Sequence, residues 1–352
     1  MQAMIVKEFR ELVRDRRTVG LLVGLPLILL VVFGYAANFY VDHVSAAVVG
    51  PQAEQVGDTL PDLFDVGTID AGASEQDARN MLRDDEVDVA IVTGGDAAAG
   101  TASTATALID GSNLFAAQSI LAAVNATGGA ITPEVLYNPD LTTAWVMIPA
   151  IIGLILTFIG TIVTSIGLVR EREAGTLEQL AVMPIKPGTV ILGKIAPYFL
   201  LAAIDMVIVT VLGMLLFDVP FNGNVLTFAL GAAIFLFVVL GIGVFISTIS
   251  QTAGQAIQTA FFVLLPQILL SGMIFPLEAM AAGVRWIGYL LPLTYFTKIS
   301  QGVMLRGAGI DSLWLPFVVL TVMAVAIFTA ATLRFRRDLA PERRASTTGG
   351  KH

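Results

Sequence analysis

The sequence contains no cysteine, so disulfides and thiolate-bound metals are excluded and the redox compartment is left open. Histidine is nearly as scarce: His43 and His352 are the only two, which rules out an HExxH-type zinc hydrolase. Charge is thin as well, at 14% of residues, where soluble domains carry about 25%. With 56% hydrophobic residues over 352 positions and a mean hydropathy of +0.81, the composition fits a polytopic α-helical membrane protein better than a soluble globule.

The charge that is present is unevenly placed. Phe39 to Thr143 holds 16 acidic residues against only Arg79 and Arg83, a net of −14, while the remainder carries +6 and the whole chain −8. Nucleic acid is therefore not an expected partner.

Residues 1–18 carry Lys7, Arg10, Arg14, Arg16 and Arg17, with Ile5, Val6, Phe9, Leu12 and Val13 at helical spacing on the opposite face. This pattern predicts an interfacial amphipathic helix on the cytosolic surface of the lipid bilayer. Val19 to Ala37 is uncharged and longer than a signal-peptide core of about 7 to 15 residues, so 19–38 is expected to be a retained first span. Residues 39–143 break the membrane pattern. Ala46 to Val49, Val87 to Val92 and Ala107 to Ile109 resemble strands, Ser74 with Asp77 suits the cap of a helix through Arg83, and Leu114 to Val124 has helical periodicity. A small α/β domain is expected, with a flexible loop at Gly94 to Thr106.

Five further apolar runs fall within 144–333: Trp145 to Val169, Ile195 to Phe217, Val225 to Ser250, Ile257 to Phe275 and Leu313 to Leu333. Each is long enough to cross about 30 Å of hydrocarbon, which makes six transmembrane helices in all. Trp286 to Phe296 is too short to span and contains Pro292, so 277–312 is expected to be re-entrant or interfacial. Of the 20 basic residues, 15 lie before the first span, in a loop at 170–194, or after Thr332. The positive-inside rule then places both termini, the 170–194 loop and the 334–352 tail in the cytosol, and the α/β domain outside, as an extracytoplasmic domain.

The 170–194 loop begins with the alternating charges Arg170, Glu171, Arg172 and Glu173, followed by Gly175, where the backbone is free to turn. Thr176 and Gln179 form a capping-box pattern, so a short helix should start at Leu177 and stop before Pro184. Leu177 and Leu180 share one of its faces, with Glu178 and Gln179 off it. On local chemistry alone this is either a connector that moves membrane helices or a plain solvated loop. Gly188-x4-Gly193-Lys194 has phosphate-loop spacing, but Ile195 stands where Ser or Thr must hold magnesium, so this chain is expected to bind no ATP.

Polar residues inside the spans are few. Asp205 in the third should face protein or water, as a substrate or proton contact or as an interhelical hydrogen bond. The second span carries Thr157, Thr161, Thr164 and Ser165 and the fifth Gln258, Thr259 and Gln267; Thr157, Thr161 and Thr164 share a face, as Thr259 and Gln267 approximately do, so each helix has one more polar stripe. Such stripes either line a substrate pathway or join helices, and Gly241 with Gly243 suggests close packing in the fourth span. Pro266 is expected to kink the fifth.

Tyr137-Asn138-Pro139, REREAGTLEQLAVMPI from Arg170 to Ile185, SGMIFPLEAM from Ser271 to Met280, LPLTYF from Leu291 to Phe296 and Leu305-Arg306-Gly307 together resemble ABC-2-type transporter permeases. The likeness is to their bacterial drug-exporter branch with a large extracytoplasmic loop after the first span. It implies two permease subunits, as homodimer or heterodimer, above two ABC ATP-binding subunits that hold the ATP and magnesium, in the plasma or inner membrane. It further implies that Glu171, Glu173, Gly175, Thr176, Leu177, Glu178, Gln179 and Leu180 form the region coupled to the ATPase, with Met183 where the family commonly has Thr. Thr157, Thr161, Asp205, Gln258, Thr259 and Gln267 become candidates for the pathway of a hydrophobic or amphipathic substrate: a drug, a lipid or a lipid-linked product. The acidic domain would gate release or meet a periplasmic or cell-wall partner. Two other readings stand beside this one: an ion-coupled secondary transporter using Asp205, and a membrane-anchored receptor or scaffold acting through its outer domain.

Overall fold

The computed structural model describes residue 41 and residues 43–94, 105–174 and 187–338, with backbone alone over 187–192, 194 and 335–338. The amphipathic helix and first span expected before residue 39, the short helix at Leu177 with Gly175, Thr176, Glu178, Gln179 and Leu180, most of the Gly94–Thr106 loop and the end of the tail lie outside the described residues.

Five strands, β1 (Val44–Val49), β2 (Phe64–Asp70), β3 (Val89–Thr93), β4 (Ala105–Asp110) and β5 (Ile131–Leu136), form one sheet in the order β2-β1-β3-β4-β5. Among the described strands only the β3–β4 pair is antiparallel. The three central strands are buried on both faces, which makes each a nearly continuous apolar run. Their side chains alternate between two cores. Val48, Ile91 and Ile109 pack under α1 (Ala53–Gly57) and α3 (Leu114–Ala126), while Val49, Ala90 and Leu108 pack under α2 (Glu75–Arg83). Ser74 and Asp77 cap α2 reciprocally: the Asp77 N–H donates to the Ser74 hydroxyl, and the Ser74 N–H donates to the Asp77 carboxylate. The Gly94–Thr106 loop expected from composition is shorter than that range, because Ala105 and Thr106 already pair with Thr93 and Val92.

The helices that follow form a bundle. α4 (Thr143–Phe158) and α5 (Thr164–Glu173) make one long rod joined by a π-helical turn, Ile159–Val163. α6 (Pro187–Phe217), α7 (Val225–Ile249) and α8 (Ala253–Leu270) follow. Short α9 (Ala282–Gly288) and α10 (Pro292–Gln301) lead through a second π turn, Gly302–Arg306, to α11 (Trp314–Asp338). Among the described residues, five helices are long and apolar enough to cross a membrane. In α7, 61% of the most apolar window is buried, against 22% in α6 and α11, so α7 is the central post and those two lie at the periphery. The aromatic centre is the pair Phe235 on α7 and Phe296 on α10, stacked with ring centroids 4.5 Å apart.

Three boundaries differ from the sequence expectation. The helix expected as the fifth span occupies Ala253–Leu270 rather than Ile257 to Phe275, because Thr252 caps it early and Gly272, at φ +86°, turns the chain just after it ends. The loop expected over 170–194 is narrower, since α5 runs to Glu173 and α6 starts at Pro187. That start also puts Gly188 to Lys194 on a helix rather than a strand-to-helix loop. The tail expected from 334 begins inside α11, which continues to Asp338.

Candidate functional site

The alternating charges at the end of α5 act as caps for two other helices. Arg172 Nη1 donates to the Ser250 carbonyl at the C-terminus of α7 (3.2 Å), and Glu173 Oε1 accepts from the Ala253 N–H at the N-terminus of α8 (3.2 Å). A cation therefore meets the negative end of one helix dipole and an anion the positive end of the next, and each satisfies a backbone group that its helix leaves open. Thr252 accepts from the Gln255 N–H, and Gln255 Oε1 accepts from the Gln251 N–H, which fixes the turn being gripped. Glu171 is half-buried on the same turn. Of the residues implied for ATPase coupling, Glu171 and Glu173 are described; the sequence reading missed Arg172 and the Ser250–Ala253 turn. Thr252 with Gln255, a capping pair, was the readable signal for that turn.

Within the bundle, Thr157, Thr161, Thr164 and Ser165 are wholly buried. Thr157 donates to Gly153 O (2.7 Å) and Ser165 to Ile162 O (3.0 Å), whereas the Thr161 and Thr164 hydroxyls have no partner among the described residues. The π turn interrupts the helical phase of this stripe, which the sequence reading treated as one continuous α-helical face. On α8, Gln258 is exposed and Thr259 donates to Gln255 O (2.9 Å), while Gln267 is 1% exposed with both amide atoms unpartnered among the described residues. Nine residues apart on a helix, Gln258 and Gln267 point to opposite sides. Asp205 is half-buried on α6, with Oδ2 enclosed and without a hydrogen-bond partner among the described residues.

At the other end of the bundle a charge cluster fastens the α/β domain. Arg306, with its side chain 5% exposed, donates through Nη1 to Asp85 Oδ1 (2.5 Å) and to Asp110 Oδ2 (3.2 Å). Lys298 on α10 also reaches Asp85 (3.1 Å), and Ser312 reaches Asp84 (2.6 Å). Buried Asn138 donates to Gly111 O and Thr142 O (both 3.2 Å) and accepts from the Thr142 N–H, tying the entry of α4 to the turn after Asp110. Tyr137-Asn138-Pro139 and Leu305-Arg306-Gly307 thus converge on the Asp110–Gly111 turn. The sequence reading gave Arg306 no role, although it is the one charge in the run from Ile299 to Ile310.

Burial works against the charge of Asp85, but Arg306 and Lys298 outweigh it and lower its pKa from the ordinary 3.8 to about 2. Asp110 is pushed up by burial, which Arg306 offsets only in part. Burial also raises Tyr137 to about 12, and Asp110 adds to the shift. Because the folded pKa of Asp85 lies below its unfolded value, its contribution is complete above 3.8 and lost as the pH falls through about 2. Asp85→Asn is expected to lower the denaturation midpoint at neutral pH, and the gap from wild type should close across that acid window. A gap independent of pH would contradict this assignment.

A rod and three further long apolar helices around a central post, with an α/β domain fastened at one end, define a polytopic helical membrane protein. The sequence profile described as ABC-2 family transporter protein matches residues 16–333, and the chain belongs to that family. It is 34% identical over 203 residues to the probable multidrug ABC transporter permease YbhR of Escherichia coli K12, covering 58% of this chain and 55% of that one. It is 37% identical over 207 residues to the inner membrane transport permease YhhJ of the same strain, covering 58% and 54%. The match to the probable multidrug permease YbhS is 29% over 337 residues, covering 87% and 89%. The aligned stretch thus spans about half the length of the first two relatives.

Proposed function

We propose that this chain is the permease subunit of an ATP-driven exporter in the cell membrane. Its termini face the cytosol, its α/β domain lies outside, and it works with a second permease subunit and separate ABC ATP-binding subunits that carry the ATP and magnesium. Hydrophobic or amphipathic compounds are moved outward from the cytosol or inner leaflet. The observation that carries this reading is the double cap at the end of α5. Arg172 and Glu173 immediately precede the loop implied for coupling and hold the ends of α7 and α8, so a displacement of that loop moves three membrane helices together. Phe158 on α4 and Phe261 on α8 are exposed and meet edge to face at 6.4 Å.

Affinity purification of this chain should recover an ATP-binding subunit, and Glu178→Arg should abolish the recovery. Glu173→Arg is expected to keep the partner but reduce substrate-stimulated ATPase activity about tenfold, since it sets a cation against a helix N-terminus and removes a cap. A preparation with no ATPase partner would overturn the reading. The enclosed Oδ2 of Asp205, without a hydrogen-bond partner among the described residues, favours ion-coupled transport as the second reading. In that case transport persists without an ATPase and is lost in Asp205→Asn.

A further inference from the structure

The α/β domain and the bundle meet through charge more than through apolar packing. Arg306 and Lys298 hold Asp85, Arg306 also holds Asp110, and Ser312 donates to Asp84 (2.6 Å). Arg306 Nε is enclosed without a hydrogen-bond partner among the described residues, so this fastening is not saturated. Apolar contact across the joint comes from Ala279, which packs on the domain core, and from the connecting residues Tyr137 and Leu141. Beside these contacts the two bodies are separated by a cleft of about 880 Å³. Domains that share a small polar interface move relative to one another unless something holds them, in contrast to domains joined by a large apolar one.

The chain between the domain and α4 is bent into backbone conformations that bulky residues avoid. Tyr137, at φ +65°, is the centre of a γ-turn in which the Asn138 N–H donates to Leu136 O (2.8 Å). A γ-turn with positive φ at its centre is the rare and strained form. Leu141, at φ +46°, closes the next turn by donating its N–H to Asn138 O (3.0 Å). In this region Cβ crowds the neighbouring carbonyl, a cost that glycine escapes. Side-chain bonds hold the bent chain in place: the Tyr137 hydroxyl donates to Arg79 O (3.3 Å), and Asn138 bridges Gly111 and Thr142. Strain of this kind persists only where the fold around it over-determines the backbone.

We propose that the α/β domain is a hinged cap on the bundle, with Tyr137–Leu141 as a hinge strained in the docked position and the Arg306 cluster as the latch that holds it there. Releasing Asp85 and Asp110 from Arg306 lets Tyr137 and Leu141 return to negative φ, which lifts the domain and widens the cleft. The docked and lifted positions thus differ in named contacts, as two states of a switch must. Val41, buried in the domain core, travels with the domain.

α4 starts at Thr143, two residues past Leu141, and the rod it begins ends in the Arg172 and Glu173 caps, so a movement of the rod reaches the hinge directly. Lifting itself needs neither ATP nor a partner subunit, and it stands or falls apart from the exporter reading.

The sequence has no cysteine, so two introduced ones carry the only spin labels. In the full chain in nanodiscs, labels at Asp65→Cys and Ala282→Cys line the cleft from the domain and from α9, and a second pair, Asp58→Cys with Asn125→Cys, lies within the domain. Double electron–electron resonance should give one docked distance across the cleft in wild type. Arg306→Gln should add a longer one while the distance within the domain stays as it was. In that background, Leu141→Ala and Leu141→Gly remove nearly the same packing but differ in backbone cost. Leu141→Ala should show about threefold more of the long distance than Leu141→Gly, because only alanine keeps the cost of positive φ when docked. A plain flexible linker gives the reverse order, since glycine frees the undocked chain more. The proposal is overturned by an unchanged cleft distance in Arg306→Gln, by as much or more of the long distance with glycine as with alanine, or by a within-domain distance that broadens together with the cleft distance.

Discussion

Arg306→Leu is expected to destabilise the protein by about 3–5 kcal/mol, the cost of removing one partner from a buried ion pair. The guanidinium is enclosed between Asp85 and Asp110, and Asp110 is 2% exposed, so deleting the cation leaves a carboxylate that water cannot reach. The loss should be concentrated at the joint between domain and bundle. Limited proteolysis would then cut between Tyr137 and Thr143 at protease concentrations that leave wild type intact, and the thermal midpoint would fall. Arg306→Met with Asp110→Asn removes both charges and should recover much of the loss, because replacing a whole pair by neutral groups is far cheaper than breaking it. A double variant as unstable as the single one would show that Arg306 acts through packing rather than charge.

What could be read from the sequence follows from how each element is solvated. β1, β3 and β4 lie in the middle of the sheet and are buried on both sides, so they stand out as apolar runs. β2 and β5 were missed because they are its edges: FDVGTID is mostly exposed, and ITPEVL carries Pro133, which an edge strand tolerates and a central one does not. The five described spans were legible for the same reason as the central strands, since both faces meet apolar surroundings. The two π turns were not legible, because Ile159–Val163 and Gly302–Arg306 differ from α-helix by hydrogen-bond register and not by composition. The partners of Arg306 and Arg172 were likewise hidden. Asp85 is 221 residues from Arg306 and Ser250 is 78 from Arg172, and no local pattern encodes a contact across such a separation.

The second large effect lies where α7 crosses the first of those π turns. A Cβ added at Gly243 would stand 2.6 Å from Gly160 O and 3.0 Å from both Thr161 O and Thr164 Cβ. Two of these three atoms are backbone, so no rotamer change relieves the overlap and one helix must shift away from the other. Gly243→Ala is therefore expected to cost about 1–3 kcal/mol and Gly243→Leu more, as overpacking of a closed interface. The consequence for transport follows from the same contact. The rod α4–α5 ends in the Arg172 and Glu173 caps on α7 and α8, so its grip on α7 has two points: the caps at one end and the Gly160–Gly243 crossing in the middle. Separating the crossing while the caps hold should let the rod pivot without carrying α7. In the exporter reading Gly243→Ala then retains its ATP-binding partner and basal ATP hydrolysis but loses most substrate-stimulated hydrolysis. The comparison that decides it is Gly193→Ala on α6, where an added Cβ meets none of the described residues within 4 Å: equal stability and equal stimulation in the two variants would remove the crossing from the transmission path.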